Sequence, residues 1–298
     1  MEKIFETVPN FSEGRDQSKI EEILDAFRGR SGVKLIDHEA DADHNRCVVT
    51  VVGEPAPLKE AVLAAVGVAV RVIDLRAHKG QHPRMGAVDV VPFIPIKKAS
   101  MEEAVSLSRE VARAIAGTYQ IPVFLYEESA SDPARRNLAD IRRGQFEGMA
   151  EKLRLPEWKP DFGNAAPHPS AGVVAVGARM PLVAFNVNLD TDNMEIANAI
   201  AKAVRHQSGG LRYCKAIGVD LKARGIVQVS MNMTDFTRTP LYRVVELIRA
   251  EALRFGVSIV GSEIVGMVPM AALVDAAAYY MGLEHFSIDQ VLEQKLME

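Results

Sequence analysis

Two successive stretches of the chain carry the same alternation of strand-like and helix-like hydrophobic periods, and this recurrence limits the fold more than any single motif. In the first stretch, residues 4–8 read as a short strand. Residues 16–27 place Ile20, Ile23, Leu24 and Phe27 on one helical stripe that Gly29 stops. Residues 33–37 are extended, a polar turn follows at 40–45, and residues 47–52 are β-branched and extended. An Ala/Val/Leu-rich helix spans 58–75, and residues 87–96 form a fourth strand. Ser100 and Glu103 make a capping box that opens a helix to about residue 116. A strand follows at 122–126, then a helix opened by Asp132-Pro133 and running to 144. The polar, Pro- and Gly-rich sequence from 156 reads as a linker reaching to about 180. The second stretch repeats the order: strand 182–189, helix 192–205, strands 213–221 and 226–233, a helix from Thr239-Pro240 to about 255, and strand 257–265. Closing helices occupy 269–281 and 287–296.

The order βαββαβ therefore occurs twice. It predicts an α+β chain of two ferredoxin-like subdomains with extra helices, residues 1–180 (linker included) and 181–298. Such a unit leaves one sheet face bare. Two copies are expected to pack sheet to sheet, with a crevice of the kind ligands favour.

Bulk composition narrows the partners. Of 298 residues, 48% are apolar and 25% charged, the profile of a globular protein rather than a disordered or membrane chain. No apolar run reaches the roughly 18 residues a membrane helix needs, and the first residues lack the basic-then-apolar order of a secretory leader. Cys47 and Cys214 are far apart with no CxxC spacing, which points to a reducing cytoplasm and to thiols packed as small apolar groups. A net charge of −4 gives no general attraction to nucleic acid, so an anionic ligand must rely on local basic clusters.

The densest chemistry lies in His78-Lys79-Gly80-Gln81-His82-Pro83-Arg84-Met85-Gly86, just before the fourth strand. This is a loop delivering polar groups to a strand end, and such loops concentrate catalytic groups. Histidine moves protons near neutral pH. Pro83 biases His82 toward extended geometry, and the glycines on either side are expected to loosen the loop. His78 and His82 are four apart, as in a helical zinc pair, but Gly80 and Pro83 argue against a helix and no third ligand stands nearby, so no metal is expected. Arg84, Lys79, Arg76 and Lys97 are candidates for holding carboxylates. Asp37, Glu39, Asp41 and Asp43 form an acidic patch at the end of the second strand, either a solvated turn or a source of the carboxylate that orients His82. Asn10 and Ser12 end the first strand, as a turn and cap or as ligand contacts. The run Gly163, Asn164, Ala165, Ala166, Pro167, His168, Pro169, Ser170, Ala171, Gly172 is either linker or a wrap for a flat ligand.

Four segments, Val8-Pro9-Asn10-Phe11-Ser12-Glu13-Gly14, the His78-to-Gly86 loop, Ala184-Phe185-Asn186-Val187-Asn188-Leu189 and Val265-Gly266-Met267-Val268-Pro269, together resemble the formiminotransferase family over essentially the whole chain. The resemblance is to the stand-alone form, without the cyclodeaminase domain fused to it in animals. It implies transfer of a formimidoyl group from N-formimidoyl-L-glutamate to N5 of tetrahydrofolate, in histidine breakdown. It also implies a homodimer, a catalytic histidine at His82 and a folate-binding segment at the run from Gly163 to Gly172. Glu39 stands where animal relatives have aspartate. Related donors, formimidoylglycine or a formyl group, keep the same His82 chemistry. A non-catalytic amino-acid sensor is the contrasting expectation, against which a proton-shuttling loop argues.

Overall fold

The computed structural model describes residues 3–297. The chain divides into two compact units at Arg179/Met180. The first begins with β1 (Ile4–Thr7), β2 (Asn10–Phe11), α1 (Gln17–Asp25), β3 (Val33–Asp41), β4 (Arg46–Gly53), α2 (Pro55–Val72) and β5 (Val88–Lys97). It continues with α3 (Met101–Tyr119), β6 (Val123–Glu127), α4 (Leu138–Arg142), α5 (Gln145–Lys152) and β7 (Val174–Ala178). β1 and β2 act as one interrupted strand between β4 and β5, and β3 pairs with β4, all antiparallel. β7 enters between β5 and β6, parallel to both.

Two sequence expectations need correction here. Residues 174–178, assigned to the linker, form β7 inside the sheet. All five are buried, as a parallel strand covered on both faces requires of its side chains. The single helix expected from Asp132 to 144 is instead a 3-10 turn at Pro133–Arg135 followed by α4. The break arises because two successive side chains cap: Asp132 accepts from the Ala134 N–H, and Asn137 accepts from the Ala139 N–H.

The second unit contains β8 (Val183–Leu189), α6 (Met194–Val204), β9 (Cys214–Leu221), β10 (Ile226–Met233), α7 (Leu241–Arg254), β11 (Ile259–Val265), α8 (Met270–Met281) and α9 (Leu292–Met297). Its sheet runs β11-β8-β10-β9, antiparallel throughout. The βαββαβ order is present in both units. Odd-numbered residues of β8 and β10 pack against the helices, while Asn186, Asn188 and Gln228 lie on the other face. There Gln228 donates to Asn188 and Glu263, and Asn186 donates to Glu263.

Alternation along the strands sorts side chains in the first unit. Phe11, Cys47, Val49, Val51, Val88 and Phe93 face α1, α2 and α3. On the opposite face, Val90, Phe124, Tyr126 and Ala175 meet Ile141 of α4 and Met149 of α5. Toward β4 and β3 that second face turns polar, with Glu39 opposite Val48 and Asp41 opposite Arg46. Cys47 and Cys214 are buried free thiols whose burial pushes their pKa up to about 12, so both stay protonated near neutral pH.

The glycines of the 78–86 loop do not loosen it. A Cβ on Gly86 would lie 2.0 Å from the Val173 carbonyl oxygen, and one on Gly80 would lie 2.2 Å from that of His44. Each glycine lets the loop press against neighbouring backbone. Gly86→Ala is therefore expected to destabilise the protein by about 1–3 kcal/mol or more, the usual cost of forcing extra atoms into a packed site, measured as an earlier denaturant midpoint; an unchanged midpoint would contradict this packing.

Candidate active site

His82 is 6% exposed, and its backbone is held by the turn between β3 and β4. The backbone N–H groups of Gln81 and His82 donate to the carbonyls of Asp43 and His44. Asn45, held at φ 51°, ties the same region together: its Oδ1 accepts from Gly14 N at 2.9 Å and its Nδ2 donates to the Lys79 carbonyl at 3.0 Å. His78 completes the brace. Its Nε2 meets the Asn45 carbonyl at 2.9 Å, and its Nδ1 accepts from Arg84 Nε at 3.2 Å. Both ring nitrogens of His78 are thus engaged within the protein, and among the described residues no cluster of three or more His, Cys, Asp or Glu side chains is placed to hold a metal.

The carboxylate facing His82 is Asp89, not one of the acidic patch. His82 Nε2 is buried without a hydrogen bond and lies 3.6 Å from Asp89 Oδ2. Asp89 is 1% exposed. Its Oδ1 accepts from Met85 N at 2.8 Å, and Arg142 holds its Oδ2 through Nε at 2.8 Å and Nη2 at 2.5 Å. A register shift creates this position. Asn10 pairs with Val90 and Phe11 with Val88, so Asp89 is the extra residue of a bulge in β5. Bulges commonly re-aim a side chain beside an active site. Its sequence signal is a lone acid within an apolar strand, seven residues after His82.

Electrostatics follow from burial. Burial lowers the pKa of His82, while the Asp89 carboxylate opposes that shift and Arg142 and Arg46 add to it. The ring is neutral near pH 7, the state a proton acceptor needs. Asp89 itself is held below the usual carboxylate range: burial pushes it up, but Arg142, His82 and the Met85 N–H outweigh that.

The other expected site residues fall into separate groups. Arg84 is buried, and its bidentate partner is Glu147, at 2.6 and 2.9 Å, with further bonds to Gln145 and the His78 carbonyl. It fastens the loop to α5 and has no free donor for a substrate carboxylate. Arg76 forms a two-point pair with Asp74. Lys79 is exposed. The Ser12 hydroxyl donates to the Gly86 carbonyl at 2.7 Å, and Asn10 donates to the Val8 carbonyl. Asp41 accepts from His44, and Glu39 is exposed on β3. The segment 163–172 is no free linker. Leu75 N donates to Ser170 O, Ala87 N to Ala171 O, and Val173 N to Met85 O. His168 Nδ1 accepts from the Ser170 and Ala171 N–H groups and folds the turn. Ser170, Ala171 and Gly172 thus lie beside the loop that carries His82, while Gly163, Asn164, Ala165 and Ala166 stay exposed.

Acid should weaken this arrangement. His78 and His82 both have lowered pKa values, chiefly through burial, whereas an unfolded histidine titrates near 6.5. Below about pH 6.5 the unfolded chain takes up protons that the folded one refuses, so stability falls as the pH falls. The depressed Asp89 carboxylate extends the loss further into acid. Denaturant melts are expected to show lower stability at pH 5.5 than at pH 7.5, and the drop is expected to be smaller in His82→Gln.

Comparison with known proteins gives the family. The model of the formiminotransferase domain, N-terminal subdomain, matches residues 4–179, and that of the formiminotransferase domain matches residues 184–297. The glutamate formimidoyltransferase of Streptococcus pyogenes serotype M1 is 52% identical over the full length of both chains. That of Thermoplasma acidophilum is 45% identical, covering 98% of this chain and 97% of the relative. The formimidoyltransferase-cyclodeaminase of Rattus norvegicus is 43% identical over 95% of this chain, which spans 53% of that longer protein. With both halves matched by family models and full-length relatives at this identity, the chain belongs to the formiminotransferase family.

Proposed function

We propose that this chain is a glutamate formimidoyltransferase, moving the formimidoyl group of N-formimidoyl-L-glutamate to N5 of tetrahydrofolate, with His82 as the proton-transfer residue. The observation that carries the reading is a buried histidine whose Nε2 faces an arginine-clamped carboxylate. N5 attacks the amidine carbon, and a tetrahedral intermediate forms. His82 accepts the N5 proton and returns it to the glutamate nitrogen as the carbon–nitrogen bond to glutamate breaks. The Asp89 charge stabilises the imidazolium that exists between those transfers. A histidine doing both jobs contributes roughly 10²- to 10⁴-fold. Holding the two reactants together supplies more, about 7–11 kcal/mol in well-oriented systems.

The segment from Gly163 to Gly172 is the proposed tetrahydrofolate contact. Its support is the backbone bonding of residues 170–173 to Leu75, Met85 and Ala87, which keeps that loop beside the His82 loop. Tetrahydrofolate is a co-substrate here, consumed and released in each turnover.

Purified protein mixed with tetrahydrofolate and N-formimidoyl-L-glutamate is expected to release glutamate and form 5-formimidoyltetrahydrofolate together. His82→Ala is expected to stay folded by circular dichroism and to lose turnover by at least about 10²-fold. Absence of turnover in the wild type, or full activity in folded His82→Ala, would overturn the assignment.

A further inference from the structure

Arg46 opens β4 and is the one half-buried arginine around His82 for which no partner is found among the described residues. Its Nε is buried without a hydrogen bond, and its guanidinium enters no ion pair. Arg84 and Arg142 are committed, to Glu147 and Asp89 respectively. Leaving the Nε donor buried and unmet is unfavourable, and an anion reaching it would meet the remaining donors of the same guanidinium as well. Arginine suits this because its planar fork matches a carboxylate.

The sheet places Arg46 next to the chemistry. Phe11 pairs with Cys47 on one side and Val88 on the other. Arg46 thus sits two strands away from the 86–87 segment, roughly 10 Å at about 4.8 Å per strand. Cys47, Val49 and Val51 point into the helix-side core, so Arg46 projects from the opposite face, the one where α4 brings Arg142 to Asp89. Its charge acts on both His82 and Asp89. The acids facing it across β3, Glu39 and Asp41, influence it without closing an ion pair, and Asp41 is engaged by His44.

We propose that Arg46 binds the α-carboxylate of the formimidoyl amino-acid donor. This rests on the formimidoyltransferase reading above and assigns part of its donor site. The choice of carboxylate follows from the covalent structure of the reactants. The α-carboxyl carbon is three bonds from the amidine carbon that His82 chemistry acts on. The donor's γ-carboxylate and the glutamate tail of the folate are both farther from the reacting atoms.

The test is a substrate-by-protein cycle. Wild type, Arg46→Gln and Arg46→Lys are assayed with N-formimidoyl-L-glutamate and with N-formimidoyl-4-aminobutyrate, which lacks only the α-carboxylate. For the glutamate donor, Arg46→Gln is expected to lower kcat/KM roughly 10- to 100-fold, mainly by raising KM, the size of a lost charge-assisted bond. The KM for tetrahydrofolate is expected to stay within about twofold. On the 4-aminobutyrate donor the same substitution is expected to change little, and Arg46→Lys to recover part of the loss. Equal losses on both donors, or a loss expressed in the tetrahydrofolate KM, would overturn the assignment. If wild type does not turn over the glutamate donor, the reaction assignment fails separately. Calorimetric binding of L-glutamate then decides for Arg46: affinity lost in Arg46→Gln supports the site, and equal affinity or no binding to wild type overturns it.

Discussion

A carboxylate with almost no solvent contact must be neutralised, and the way Asp89 is neutralised organises the first unit around it. Arg142 reaches it from α4, the Met85 N–H reaches it from the loop, and His82 faces the oxygen that Arg142 holds. Removing one member of such a buried pair strands the other, which typically costs about 3–5 kcal/mol. This makes the geometry hard to relax. Proton transfer needs that kind of base, one whose distance and charge state are fixed before substrate arrives.

The support reaches outward through backbone rather than long side chains. Gly86 lies against Val173, Ser12 bonds to Gly86 and Ala87, and residues 170–173 bond to Leu75, Met85 and Ala87. Arg84 and Glu147 clamp the loop to α5. α5 in turn secures α4, because the Lys152 ammonium donates to the carbonyls of Asp140, Ile141 and Arg143 while lying 3.9 Å from the Trp158 ring centroid. Fixing α4 fixes Arg142. A chain of ordinary contacts thus connects the half-buried Lys152 to the charge state of a buried histidine.

Much of this was legible in the sequence wherever a local signal exists. The doubled strand–helix order follows from periodicity, and the Ser100/Glu103 capping box forms as written. His82 stood out from its loop composition. What escaped is non-local. β7 resembled linker because a short apolar run after a Pro- and Gly-rich stretch acquires meaning only once β5 and β6 flank it. Glu147 is 63 residues from Arg84, and Arg142 is 53 from Asp89; no spacing rule joins them. The acidic patch at 37–43 drew attention by density, while the decisive acid was a single residue at a bulge. Arg46 was missed because its lack of a partner is a property of the folded surroundings.

The charge state of His82 is the point on which the whole account turns. Nitrogen-15 labelling of histidine, with the His82 ring assigned by comparison with His82→Gln, reports its protonation directly in a pH titration of the intact protein. The expected result is a neutral ring at pH 7 with a midpoint below histidine's usual value of about 6.5. A ring still protonated at pH 7, or a midpoint above that value, would contradict the account.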